Sequence, residues 1–217
     1  MLRRTSLALF AAVVAAALAL PASALALRAH VRVEGARATI FGAAQPLLSP
    51  FTGTWTAGDV TVALSQPTAL GALEAASRQG EFFYGLVASS FGPYVGQVGR
   101  NAGSGASGWV FKVNGVSPPV GADAYVLEKG DEVLWYWATF GPAGGPPTLD
   151  LVRSGGGCFR AYEVDDAGTR VQARDIVFRL DSRRVSASEG RICPAGHWHR
   201  LRATKAGAVR SQTVAPR

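Results

Sequence analysis

Cysteine and histidine are both scarce in this 217-residue chain, which holds two of the first and three of the second. Only Cys193, His197 and His199 stand close together in the sequence, with no fourth cysteine or histidine beside them to complete a four-donor structural zinc site. No Gly-x-Ser-x-Gly elbow and no His-Glu-x-x-His helix occurs, which removes the common serine-hydrolase and zinc-protease signatures. Asp165-Asp166 falls in a turn with no partner pattern, and Asp131-Glu132 is accounted for by hairpin geometry. The chain therefore reads as non-catalytic, with no resident metal. Apolar runs long enough to span a bilayer, ~20 residues, are also lacking. The longest, Leu7 to Leu20, follows the basic start Met1-Leu2-Arg3-Arg4 and precedes Ala22-Ser23-Ala24 and Ala24-Leu25-Ala26. A basic start, a short apolar run and small residues for cleavage make residues 1–26 a secretory signal peptide. The expectation is a secreted or cell-surface, extracytoplasmic protein with no membrane span after cleavage. No cysteine follows the apolar run directly, so a lipoprotein anchor has no acceptor.

In an exported chain, Cys158 and Cys193 are expected to form a disulfide. Closing a loop of that length contributes ~3.5–4 kcal/mol by chain entropy. The competing reading is a metal site of Cys193, His197 and His199 in CPAGHWH, where His-x-His in a strand would put both imidazoles on one face. Charge is distributed unevenly. Residues 27–145 carry seven Lys/Arg against eight carboxylates, whereas residues 146–217 carry thirteen against seven, a net of +6. A basic exported segment favours anionic cell-wall polymers. Nucleic acid is not expected, because only Arg183-Arg184 are adjacent and few aromatics interleave for base stacking.

The most structured stretch is Gly108 to Trp137. Trp109, Phe111 and Val113 share one face by period-two alternation, with Lys112 and Asn114 on the other. Asn114-Gly115 and Gly130-Asp131 supply turn conformations. Val133, Trp135 and Trp137 alternate with Leu134 and Tyr136, so a strand here is apolar on both faces and belongs inside a sheet. Before this hairpin, HVRVE (30–34) and DVTVAL (59–64) read as strands, and the prolines of PLLSPFTGTW (46–55) indicate an edge or loop. Thr68 is a candidate N-cap for one short helix presenting Leu70, Leu73 and Ala76, with Glu74 and Arg78 at i,i+4 and Gly80 as its terminator. The glycine-rich stretch 101–107 reads as an exposed loop, either a plain flexible connector or one whose bare backbone lets a ligand approach Trp109 and the Phe91–Tyr94 turn. GPAGGPP, ending at residue 147, marks a linker over 142–147. Beyond it, 148–153, 158–165, 172–180, 183–188, 199–203 and 209–214 are short strand candidates separated by turns, a pattern that suggests a small all-β sandwich.

The order Gly-Trp, aromatic, Val-Asn-Gly, then Gly121, Tyr125, Leu127 and Gly-Asp-Glu-Val resembles a bacterial domain-of-unknown-function family. That family is typified by the C-terminal β-domain of the vitamin B12 carriers transcobalamin and intrinsic factor, and the resemblance covers residues 27–141. It implies an α+β, β-grasp-like mixed sheet with one helix. The final RATKAGAVRSQTV resembles the closing strands of Ig-like or carboxypeptidase-regulatory-like modules, implying an Ig-like sandwich over 148–217. The first functional expectation is a non-catalytic binding module for an unknown small molecule or surface protein, with Phe91, Pro93, Tyr94, Trp109, Val110 and Phe111 as its platform. The resemblance adds a corrinoid (cobalamin) as an alternative ligand, contacted by Trp109, Val110 and Phe111. Without the carriers' large helical domain, a corrinoid would be held weakly or with a partner. The other alternative is an architectural or adhesion spacer. Exposure of Trp109 beside Phe91 favours ligand binding, and its burial favours the spacer.

Overall fold

The computed structural model describes residues 27–181, 183–187 and 189–216. The signal peptide expected at 1–26 and the Ser188 end of one strand candidate lie outside the described residues. Among those described, the chain is mostly β with a single helix and several small sheets. The N-terminal part contains β1 (Ala29–Glu34), β2 (Thr39–Phe41), β3 (Leu47–Leu48), β4 (Gly53–Ala57), β5 (Val60–Leu64) and α1 (Ala69–Gly80). It continues with β6 (Tyr84–Val87), β7 (Tyr94–Val98), β8 (Asn101–Ala102), β9 (Ser107–Val113) and β10 (Glu132–Thr139). The C-terminal part contains β11 (Thr148–Arg153), β12 (Phe159–Val164), β13 (Arg170–Gln172), β14 (Ile176–Leu180), β15 (Arg183–Ala187), β16 (Arg191–Ile192) and β17 (Leu201–Thr204).

The main sheet runs β2-β1-β10-β9, with β3 also on β1. β1 and β10 are parallel, pairing Val31 with Val133 and Val33 with Trp135. β10 and β9 are antiparallel, pairing Trp135 with Phe111 and Leu134 with Lys112. β10 is central, as its two apolar faces require. Its odd-numbered side chains, with Val31, Val33, Trp109 and Val113, face the helix and form the larger core.

α1 forms where the sequence places it, for local reasons. The Thr68 hydroxyl accepts from Gly71 N at 3.1 Å, and the other early donors are met by the 121–125 turn, Ala69 N to Tyr125 O and Leu70 N to Ala122 O. Ala69, Leu70, Ala72, Leu73 and Ala76 are buried against the sheet. Trp135 Nε1 donates to Ala69 O at 3.2 Å. Gly71 is required by close approach, since a Cβ there would sit 2.3 Å from Phe51 O. Termination differs from expectation. Gly80 is the last helical residue, and the left-handed cap is Glu81, with φ 51°. What constrains Gly80 is contact, because a Cβ would meet the Phe41 ring at 2.6 Å. The helix carries a buried polar chain: Trp55 Nε1 donates to Tyr84 Oη at 2.6 Å, and Tyr84 donates to Glu74 at 2.7 Å. Burial, reinforced by Glu74, raises the Tyr84 phenol well above its ordinary value.

The C-terminal strands form two sheets, β11-β12-β13 with β16 on β12, and β15-β14-β17. Leu149, Leu151, Phe159, Ala161, Ile176, Phe178 and Leu201 fill a second core. Two strand candidates change. The stretch 172–180 is broken by Asp175 at φ 55° into β13 and β14, and 209–214 contributes only single bridges, Thr148 to Val209 and Leu201 to Val214.

This C-terminal part covers the second face of the main sheet, where Arg32, Glu34, Lys112, Leu134, Tyr136 and Ala138 are all buried. Leu134, Tyr136 and Ala138 pack with Val209 and Val110. Glu34, whose side chain has no exposure, binds Arg32 at 3.3 Å, Arg210 at 2.9 Å, and Arg202. Arg32 also donates to Arg210 O at 2.6 Å. Burial holds the Arg32 and Arg202 guanidiniums below their ordinary values. Lys112, fully buried, donates to Asp165 O at 2.7 Å and Val164 O at 3.1 Å and pairs with Asp166 at 3.3 Å. Removing one partner of a buried ion pair leaves the others uncompensated and costs about 3–5 kcal/mol. Glu34→Gln keeps the shape but loses the charge that three guanidiniums share. It should lose stability in that range in urea denaturation, and a loss below about 1 kcal/mol would show that the cluster is not a structural anchor.

Candidate functional site: an apolar groove at the edge of the main sheet

The six side chains singled out from the sequence line one groove of about 390 Å³, between the β6–β7 turn, β9 and the loop 117–122. Phe91, Pro93 and Tyr94 form one wall. The turn is held by Ser89, whose Oγ accepts from Phe91 N at 3.2 Å and donates to Gly92 O at 2.7 Å. Phe91 is thereby presented at 94% exposure, with Tyr94 at 52%.

The β9 residues contribute unequally. Trp109 is only 7% exposed; its ring packs edge-on against Trp137 at 5.9 Å and its Nε1 donates to Asn101 O at 2.8 Å. Its burial is the outcome that favours the spacer reading as far as this residue goes. Phe111 is half-buried, stacked on Trp135 at 5.1 Å with Tyr125 at its edge. Val110 lies on the opposite face, against the Leu134–Tyr136 cluster. The stretch 101–107 is more ordered than a plain loop. β8 pairs with β7, Gly103 N donates to Gly96 O, and Ser104 and Ser107 close a turn. Gly103, Gly105 and Gly108 have the spacing Gly-x-Gly-x-x-Gly, but they lead from β8 into β9 and not into a helix, so the helix N-terminus that such a motif needs for phosphate is missing there.

The far wall, Ser117 to Ala122, is fastened at both ends. Ser117 N donates to Asp166 O at 2.8 Å and its hydroxyl to Asp166 Oδ1 at 3.0 Å, while Ala122 O holds the helix start. Phe140, 42% exposed, also borders the groove, as it does a neighbouring hollow of about 540 Å³ along Gly103–Gly108. Among the described residues, Asp166 is the only charged residue in the lining. It is already occupied by Lys112, Ser117 and Tyr136. Burial raises the Tyr136 phenol above its ordinary value and lowers the Lys112 ammonium below its own. With Asp166 neutralised by Lys112, the lining suits an uncharged apolar group. Phe140, Pro118 and Asp166 went unrecognised in the sequence, because only the tertiary fold brings them beside Phe91.

Cys158 and Cys193 form the expected disulfide, which takes Cys193 out of the alternative metal site. His197 and His199 do not lie in a strand as that alternative required. Trp198 between them is buried against Phe159, and the His199 and Arg200 amides cap Asp181. Among the described residues, no three His, Cys, Asp or Glu side chains group as a metal site would require, and no helix is long and apolar enough to cross a membrane.

Residues 67–139 match a family model described as a domain of unknown function (DUF4430). The match takes in α1 through β10, and so every element of the groove except Phe140 and Asp166. No curated protein matches the chain.

The disulfide closes a loop with a sequence separation of 35 around β12 to β16. Reduction under native conditions should therefore cost ~3.5–4 kcal/mol of stability by loop entropy, read as a fall in the denaturation midpoint. An unchanged midpoint after verified reduction would contradict that role.

Proposed function

We propose that this chain is an exported, non-catalytic binding protein that holds an uncharged apolar ligand in the groove beneath Phe91. The observation that carries the reading is Phe91 itself: a large apolar side chain, almost fully exposed, held by a hydrogen-bonded turn over an apolar groove with no cation in its lining. Contiguous exposed apolar surface of this kind is costly without a partner and marks binding sites. The N-terminal pattern of residues 1–26 and the disulfide support export. A β-grasp-like module over 27–141 is supported by one helix packed on a mixed sheet. A small sandwich over 148–217, joined through 142–147, is supported by two sheets enclosing one core.

A spacer is the second reading, favoured by the burial of Trp109. The basic C-terminal part adds a partner to either reading. Arg179 and Arg184 are exposed and directly opposite in the β14–β15 ladder. Like charges in that position repel and are relieved by an anionic partner, in line with an anionic cell-wall polymer. Replacing both by Gln should abolish retention on immobilised lipoteichoic acid at low salt. Unchanged retention would remove that partner.

Titration with Nile red, a neutral solvatochromic dye, tests the groove. Phe91→Ser and Tyr94→Ser should each weaken binding roughly tenfold, about 1.4 kcal/mol. As surface changes they should leave the melting temperature within about 2 °C. Binding indifferent to both substitutions would overturn the reading. Displacement of the dye by cobalamin would assign the ligand that the family resemblance implies, and none at about 50 μM, several times the Kd of a useful micromolar binder, would remove it.

A further inference from the structure

The groove follows the open long edge of a sheet. β9 has β10 on one side and, among the described residues, no paired strand on the other. Phe140 N donates to Ala106 O at 2.8 Å, and Asn114 N donates to Glu132 O at 2.9 Å. These bonds fix the phase of the ladder between them. In an antiparallel pair, alternate residues turn their N–H and C=O toward the partner, so Gly108, Val110 and Lys112 face β10, and Trp109 and Phe111 face outward. Val113, the next outward residue, exchanges bonds with Val116 at 2.9 and 3.0 Å. The outward groups of Trp109 and Phe111 have no backbone partner among the described residues. Backbone N–H and C=O groups left without a partner are costly unless water replaces it, and as residues Trp109 is buried and Phe111 half-buried. β7 runs alongside without forming ladder pairs with β9. Two donor–acceptor residues spaced by two, flanked by apolar walls, form a template for an added strand.

We infer that the groove takes an extended segment of a partner polypeptide, added as a strand on β9 through the N–H and C=O groups of Trp109 and Phe111. Its alternate side chains are apolar and seat against the Phe91–Tyr94 wall and Pro118. With Asp166 paired to Lys112 and no other charged residue lining the groove among the described residues, those side chains are uncharged. The inference rests on the groove being the binding site and names what the groove recognises.

Panning a random display library of linear heptapeptides against the protein, with Phe91→Ser as control, tests it. The selected peptide is then resynthesised with N-methyl groups at alternate residues, which removes the donors a strand must supply. The expected result is enrichment of alternating apolar sequences, at least a tenfold loss of affinity on N-methylation in one of the two registers, and slowed hydrogen exchange at the Trp109 and Phe111 amides in the complex. No enrichment over the control, equal affinity of both N-methylated forms, or unchanged exchange at both amides would overturn it. If Nile red binding still depends on Phe91, only the peptide inference fails and the groove belongs to a small apolar ligand. If that dependence is absent, both fail. Protection of the two amides at high protein concentration without peptide, together with dimers in sedimentation, would assign the edge to a second copy of the chain and also overturn the inference.

Discussion

One carboxylate joins the two parts of this protein. Glu34 extends from β1 on the face of the main sheet that the helix does not cover, and it meets Arg202 and Arg210 from the far end of the chain as well as its neighbour Arg32. Glu34 and Arg32 have left water and Arg202 and Arg210 have largely done so, which costs several kcal/mol per buried ion before any attraction is counted. The arrangement holds because each oxygen of Glu34 has more than one donor, Thr39 included, and because backbone carbonyls of Gly35, Ser211 and Arg210 accept further guanidinium protons, although Arg32 Nε is left without a partner among the described residues. Such a cluster fixes register more than it adds net stability: a sheet face with only Leu134, Tyr136 and Ala138 could slide against its cover, whereas a shared carboxylate cannot.

The groove inherits that registration. Lys112, Ser117 and Tyr136 all converge on Asp166, which stands in the turn after β12, so the C-terminal part holds one wall of a site built otherwise from the N-terminal part. The helix holds the other end of that wall through Ala122 O. The wall is tied at both ends and the turn by Ser89, so on the proposed reading the groove is preorganised and its cost is met in folding.

What the sequence made legible follows from local physics. The β9–β10 ribbon, the central place of β10 and the Thr68 cap each came from alternation, a turn dipeptide or a hydroxyl before an apolar period, and each is where those signals put it. Grouping Phe91 with Trp109 rested on composition, and the fold does bring them to one groove, but it buries Trp109, because a tryptophan beside Trp137 gains more from edge-on packing than from solvent. Lys112 and Arg32 misled most. Alternation put Lys112 on the face opposite Trp109, and Arg32 was read only as part of a strand; a charged residue in such a place normally means water, and nothing local announces that a second β layer will arrive 53 residues after Lys112 and 178 after Arg32 with carbonyls for them, as Arg202 and Arg210 do for Glu34. Gly80 is a similar case, read as a helix terminator when its constraint is the Phe41 ring. The family match ends at Thr139, just short of the C-terminal partners on which this account depends.

Differential scanning calorimetry of the intact, oxidised protein tests that dependence most directly. If the Glu34 and Lys112 contacts bind the two parts into one folding unit, unfolding is a single transition whose calorimetric and van't Hoff enthalpies agree. Two resolved transitions, one surviving after the other part has melted, would contradict it, and the groove would then have to be explained from residues 27–140 alone.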